Sequence, residues 1–152
     1  PRVVALAFGA EDYANDMGIH RTVDGDEIYL PRYLVALGAR AAGIVALDTP
    51  YVKFRDTDGL RSEAKTAATL GYAGKFSIHP LQLETITSVF TPNQSDIEYA
   101  RRVVEASHEA EMEGKGAFEI DGAMIDIPVV KRAINLLALA KEIEMRERGP
   151  AS

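Results

Sequence analysis

Three short apolar runs, each ending on a polar residue and each parted from the next by one helix-patterned stretch, constrain the fold of this chain more than any other feature. The first is Leu6-Ala7-Phe8-Gly9-Ala10-Glu11-Asp12, which reads as a strand delivering two adjacent carboxylates to its C-terminal end. The second, Gly43-Ile44-Val45-Ala46-Leu47-Asp48-Thr49, ends in an acid, and the third, Gly74-Lys75-Phe76-Ser77-Ile78-His79-Pro80, ends in histidine. Strand, helix, strand, helix, strand is the pattern of parallel βαβ units, which places the chain in the α/β class. In such folds chemistry collects at the C-terminal ends of the strands. Three polar strand tips therefore predict one shared site.

Between these runs, Tyr13 to Glu27 reads as an irregular polar loop, with Gly18 and the turn signal Asp24-Gly25-Asp26. Pro31 sits where a first-turn helix proline belongs, and Tyr33, Leu34, Leu37 and Ala41 recur at helical spacing until Gly43. Asp58 is the expected cap of the next helix, whose apolar stripe is Leu60, Ala64, Ala67, Ala68 and Leu70 and whose stop is Gly71. A closed (β/α)₈ barrel takes about 250 residues, whereas Val3 to about Phe90 supplies three βα units and leaves two sheet edges open. The early strand and the first residue, Pro1, look like an interior starting point. From Thr91 the character changes. Ser95-Asp96-Ile97-Glu98 reads as a capping box opening a helix to about Gly114, Ala117 to Ile120 as a short strand, and Asp121-Gly122 as a turn. A last helix is expected from about Pro128 to Glu147, so the chain divides into residues 1–90 and a helical extension at 91–152.

Composition narrows the function classes. A formal charge of -6, with basic residues thinly spread, argues against a general nucleic-acid binder. The absence of cysteine excludes disulfides, zinc thiolates and cysteine nucleophiles. No apolar run reaches the roughly 18 residues of a membrane span, and no signal-peptide pattern opens the chain. A cytoplasmic or matrix setting is the expectation.

Each candidate residue has a structural reading beside the chemical one. Asp12 caps backbone N–H groups or holds a hard cation, and Glu11 is the weaker ligand because neighbours on an extended segment point oppositely. Magnesium usually takes one or two carboxylates plus water and substrate oxygens, so a second ligand must come from elsewhere. His79 is held extended by Pro80 and either binds substrate or starts the next helical segment. His20, His79 and His108 lack zinc spacing, and Gly71-Tyr72-Ala73-Gly74-Lys75 is not a phosphate-binding P-loop. Asp126 caps a helix or acts in catalysis, and Asp48 serves the site or anchors Thr49. Lys53, Arg55, Arg61, Lys65 and Lys75 form an anion-receiving rim or a solvated face.

The motif order resembles the citrate lyase beta subunit family, with its citryl-CoA, malyl-CoA and citramalyl-CoA lyase relatives in the HpcH/HpaI aldolase superfamily. The resembling pieces are Phe8 to Tyr13, Ala41 to Ile44 with Asp48-Thr49, Gly71 to Lys75 followed by Ile78-His79-Pro80, Phe90-Thr91-Pro92, and Gly122 to Asp126 with Pro128. Ala123 departs from the lysine or serine of many members. The resemblance implies the last three βα units of a TIM barrel followed by a helical C-terminal extension, with the first five strands lacking a counterpart. It implies a magnesium-dependent lyase that reversibly cleaves a 3-hydroxyacyl-CoA into a CoA thioester and a keto acid. Asp12 then corresponds to a magnesium carboxylate, Ile78 and His79 to residues lining the acyl-CoA site, and Asp126 to the acid/base, with a further metal glutamate and a substrate arginine outside this chain. A homo-oligomer, first of all a trimer, with Asp126 serving a neighbouring subunit, is implied too. The alternatives are malyl-CoA thioesterase or malate-synthase-like chemistry on the same scaffold, or a non-catalytic assembly piece. These 152 residues alone are expected to be inactive.

Overall fold

The computed structural model describes residues 2–112 and 114–148. Contacts divide the chain into two compact units, Pro1–Phe90 and Thr91–Ser152.

The first unit is built on a parallel sheet in the order β1-β2-β3, from β1 (Ala5–Ala7), β2 (Val45–Asp48) and β3 (Gly74–Lys75). Ala5 pairs with Val45 and Ala7 with Leu47, while Asp48 pairs with Lys75. Parallel pairing puts all three strand exits at one end of the sheet. Between the strands run α1 (Ala10–Met17), α2 (Asp26–Ala41) and α3 (Thr57–Leu70), and a 3-10 turn at Pro80–Gln82 leads into α4 (Leu83–Phe90). The core is rich in alanine: Ala10, Ala36, Ala39, Ala46 and Ala67 gather around Phe8, Ile28 and Tyr72. Small side chains let helices approach the sheet closely. They also leave little apolar area to bury.

Several helical details differ from the sequence reading. Glu11 and Asp12 do not sit on an extended strand tip but in the first turn of α1, because the chain turns helical at Ala10 directly after Gly9. The expected loop from Tyr13 to Glu27 is half helix, since α1 runs to Met17 and α2 opens at Asp26. Glu27 fixes the connection: one carboxylate oxygen accepts from the Thr22 hydroxyl at 2.5 Å, and the other from the Thr22 N–H at 3.1 Å and from Arg21 Nε at 2.9 Å. That organisation starts α2 five residues ahead of Pro31, which therefore lies inside the helix and not in its first turn. The buried positions of α2 are Ile28, Arg32, Ala36 and Ala39, whereas Tyr33, Leu34, Leu37 and Ala41 are exposed. Two apolar stripes compete on this helix, and the one with small residues faces the sheet. In α3 the cap is Asp56, whose carboxylate accepts from the Gly59 N–H at 2.9 Å, and Asp58 lies in the first turn. Leu60, Ala64 and Ala67 are buried as the periodicity requires, Ala68 is exposed, and Gly71 ends the helix with φ +94°.

Burial pushes the Glu27 carboxyl upward, but the hydrogen bonds from Thr22 and Arg21 outweigh it and hold the group down at about 2. A carboxyl depressed on folding stabilises the fold above its unfolded value and loses that contribution as pH falls toward the folded value. The expected result is a loss of stability between about pH 4.5 and 2, shallower in a Thr22→Val variant, read from urea denaturation at a series of pH values.

The second unit contains α5 (Gln94–Met112), the antiparallel pair β4 (Phe118–Ile120) and β5 (Ala123–Ile125), and α6 (Ile127–Glu147). Asn93, not the expected Ser95 box, opens α5: its side-chain oxygen accepts from the Asp96 N–H at 2.8 Å and from the Ser95 hydroxyl at 2.6 Å. Asp121 and Gly122 both take positive φ, 52° and 79°, in the two-residue turn of the hairpin. Ala100, Val103, Ile120, Ile125 and Ala133 form its core. Among the described residues no helix is long and apolar enough to cross a membrane.

Candidate active site

The exit of β2 ties together the exits of the two strands beside it. On one side, the Phe8 N–H donates to Leu47 O at 3.1 Å, and the Ala10 N–H, the first of α1, donates to Thr49 Oγ1 at 3.1 Å. On the other, Gln82, with no solvent exposure, donates through Nε2 to Tyr51 O at 2.7 Å and accepts from the Ile78 N–H at 2.9 Å. A buried amide that satisfies one loop's carbonyl and the other's N–H fixes their separation.

Asp12, in the first turn of α1, is exposed, and its carboxylate has no hydrogen-bond or salt-bridge partner among the described residues. Glu11 differs because Arg21 Nη1 holds its carboxylate at 2.9 Å. The two acids are thus told apart by pairing and not by opposite faces of a strand.

His79 is extended, φ -151° and ψ 142°, as a residue before proline should be. Its Nδ1 accepts from the Leu81 N–H at 3.2 Å, which in the neutral ring puts the proton on Nε2. The imidazole stacks on Phe54 with ring centres 4.5 Å apart, and the Arg55 guanidinium lies 4.9 Å from the Phe54 ring centre. Ile78 beside it is exposed.

Asp126 belongs to the second unit. It caps α6, accepting from the Val129 N–H through Oδ1 at 3.3 Å, and is itself exposed. Its other oxygen has no partner among the described residues.

The basic rim does not form as a set. Lys75 is buried and donates to Asp48 Oδ2 at 2.8 Å, to Thr49 O at 2.7 Å and to Glu63. Arg55 lies over Phe54, Arg61 donates to Ser88 Oγ at 3.1 Å, Lys65 is exposed on α3, and Lys53 lines a cavity of about 130 Å³ with Glu11, Arg21, Tyr51 and Glu63.

The sequence reading misses Arg32 altogether. Its guanidinium grips Asp48 with both forks, Nε to Oδ1 at 2.7 Å and Nη2 to Oδ2 at 2.6 Å, and also donates to Glu63 O at 3.1 Å. Burial opposes the Arg32 charge, yet the hydrogen bonds and attraction of Asp48 outweigh it and raise its pKa. Burial, aided by the negative charge of Asp48, pushes the nearby Tyr72 phenol up to about 12, and its hydroxyl donates to Arg32 O at 2.6 Å. The signal was present: Arg32 stands four residues from both Ile28 and Ala36, on the buried stripe, where a charge requires a counter-charge. Asp48 and Lys75 meet side chains of α2 and α3, so this cluster lies between the sheet and its helices. Its work is to hold the strand exits.

The chain is similar in sequence and in fold to known proteins. The chain is 40% identical over 140 residues to the citrate lyase subunit beta of Haemophilus influenzae, covering 92% of this chain and 48% of that protein. It is 39% identical, also over 140 residues, to the mitochondrial citramalyl-CoA lyase of Mus musculus, covering 92% of this chain and 41% of that one. The chain therefore spans about half the length of the curated relatives it matches. The crystal structure of the CitE protein of Mycobacterium tuberculosis, in complex with magnesium, acetoacetate and coenzyme A, matches with a TM-score of 0.78 and 34% identity, covering 91% of this chain and 52% of that one. With residues 1–80 also matching the family model itself, the chain belongs to the HpcH/HpaI aldolase/citrate lyase family.

Proposed function

We propose that the chain is the C-terminal part of a magnesium-dependent acyl-CoA lyase, with residues 1–90 forming the last three βα units of a TIM (β/α)₈ barrel and residues 91–152 its C-terminal extension. Asp12 carries the reading: an unpaired carboxylate just past a strand end, in a chain of this family. The barrel reading draws support from β1 and β3, each of which has one unpaired edge among the described residues, and from Val45, which is 44% exposed on the central strand. A closed barrel would pair both edges and enclose the sheet face on which Val45 is exposed.

A free carboxylate is the donor that magnesium favours, and one or two suffice when water and substrate supply the other oxygens. Among the described residues no group of three or more acidic or histidine side chains stands ready to hold a metal. Asp12 accordingly supplies one ligand, and further protein ligands come from outside these residues. When bound, the ion supplies Lewis-acid polarisation of the substrate's carboxylate and hydroxyl oxygens.

The substrate class is a 3-hydroxyacyl-CoA such as citryl-, malyl- or citramalyl-CoA. Breaking the bond between its hydroxyl-bearing carbon and the carbon beside the thioester makes a keto acid as the hydroxyl gives its proton to a base supplied from outside the described residues. The electron pair is left on the thioester α-carbon. Asp126 in its acid form protonates that carbon, and in the condensation direction its carboxylate removes the same proton. Ile78 and the Phe54-stacked His79 line the acyl-CoA site, with the histidine offering Nε2–H as a donor. The protein works as a homo-oligomer, a trimer first of all, in which Asp126 serves a neighbouring subunit. Met124, Ile127 and Ile134, 79%, 62% and 49% exposed around the start of α6, support burial against another surface.

The test is a panel of citryl-, malyl- and citramalyl-CoA given to the full-length protein, with detection of free acetyl-CoA and of the matching keto acid. Cleavage of one member with a magnesium requirement is expected, and Asp12→Ala abolishes it. Magnesium stimulation that survives in Asp12→Ala removes the metal assignment. Free CoA accumulating with malate, in place of acetyl-CoA with glyoxylate, moves the reading to thioester hydrolysis. The 152-residue polypeptide alone is expected to show no turnover.

A further inference from the structure

We propose that Thr49 is a positioning residue for the metal carboxylate, acting from the exit of β2 through the first backbone N–H of α1. The proposal rests on Asp12 being the magnesium ligand. Helix α1 has no cap of its own, because Gly9 at the capping position has no side chain. The acceptor comes from a residue 39 positions away: Thr49 Oγ1 takes the hydrogen bond of the Ala10 N–H at 3.1 Å. Both partners are sealed from solvent, Thr49 at 1% exposure and Ala10 at 0%.

Thr49 is in turn fixed. Lys75 Nζ donates to its carbonyl at 2.7 Å, and the preceding residue, Asp48, is held by both forks of Arg32. Asp12 rides on the same first turn. Its Oδ2 lies 3.2 Å from the point that a Cβ on Gly9 would occupy, so the carboxylate folds back over the helix start. Where α1 begins relative to the sheet therefore decides where the Asp12 oxygens stand. A hydroxyl on the neighbouring strand exit sets that point, and losing a group that orients a metal ligand typically costs about 10–100-fold in metal affinity.

The experiment uses the full-length protein and Mn²⁺ as a spectroscopic stand-in, with free and bound metal separated by EPR titration. Thr49→Val keeps the shape and loses the acceptor, and is expected to raise the Mn²⁺ Kd about 10-fold, the lower end of the range for such orienting groups. Thr49→Ser keeps the hydroxyl and is expected to bind as the wild type does. Val103→Ala, which destabilises the core of the other unit, serves as the control for general loosening and leaves the Kd unchanged. Wild-type affinity in Thr49→Val overturns the proposal. If Thr49→Val does not fold, Thr49→Ala takes its place beside Thr49→Ser: a tenfold loss in Thr49→Ala with wild-type affinity in Thr49→Ser upholds the hydroxyl's role, and wild-type affinity in Thr49→Ala overturns it. Asp12→Ala separates the two layers, because unchanged affinity there overturns the ligand assignment itself and Thr49 with it.

Discussion

Asparagine in place of Asp126 is expected to lower turnover of the full-length protein by about 10²–10⁴-fold, the span that a positioned proton donor or acceptor contributes. The substitution is informative because of what it preserves. Asparagine caps helices about as well as aspartate, and the carboxylate oxygen that accepts from the Val129 N–H has an amide counterpart of the same shape. The start of α6 should stay intact, so a lost rate cannot be put down to a frayed helix. Alanine lacks that property and costs about 1 kcal/mol of helix stability as well. Mixing Asp126→Asn with Asp12→Ala protein tests which chain Asp126 serves. If it serves a neighbouring subunit, some sites in a mixed oligomer combine an intact Asp12 with an intact Asp126, and activity returns. No recovery, with subunit exchange confirmed independently, returns Asp126 to its own chain's site or removes it from the mechanism.

Helix α1, read as loop, was not legible, whereas the three parallel strands and the helices α2 and α3 between them were, because the apolar runs are short and those helices end in glycine. Gly71 shows why: at φ +94° it takes a backbone conformation that other residues adopt only with strain. The α2 face was not legible. Periodicity picks out large apolar side chains, and Tyr33, Leu34 and Leu37 satisfy it while lying exposed, because close approach to the sheet favours Ala36 and Ala39. Caps were off by two residues at both α3 and α5. In each case an equally capable acceptor two residues upstream takes the cap, Asp56 before Asp58 and Asn93 before Ser95.

At the candidate site, sequence order locates acids near strand ends but not their pairing. Glu11 and Asp12 are equivalent in composition, and a contact to Arg21, ten residues away, separates them. Lys75 was misplaced for a related reason. A lysine at a strand start reads as solvent-facing until its partners Asp48 and Glu63 are known, and both lie at least 12 residues away. Long-range partners decide whether a charge is structural or free, and a single sequence does not list them.

The Asp48 cluster carries the other large expected effect. Asp48→Ala should cost about 3–5 kcal/mol in urea denaturation, the loss typical when one member of a buried ion pair is removed. Two cations depend on it: Arg32, 4% exposed, and Lys75, 8% exposed. Glu63 still reaches Lys75, but it meets Arg32 only through its backbone carbonyl, so the guanidinium loses both charge-assisted bonds at once. The penalty comes from the stranded charge more than from the lost attraction. A double variant separates these terms. Arg32→Met with Asp48→Leu removes one cation together with the anion and leaves Lys75 to Glu63, so it should be less damaging than Asp48→Ala alone. Equal or greater damage would mean that the shape of the Arg32–Asp48 pair, and not its charge balance, holds α2 against the sheet.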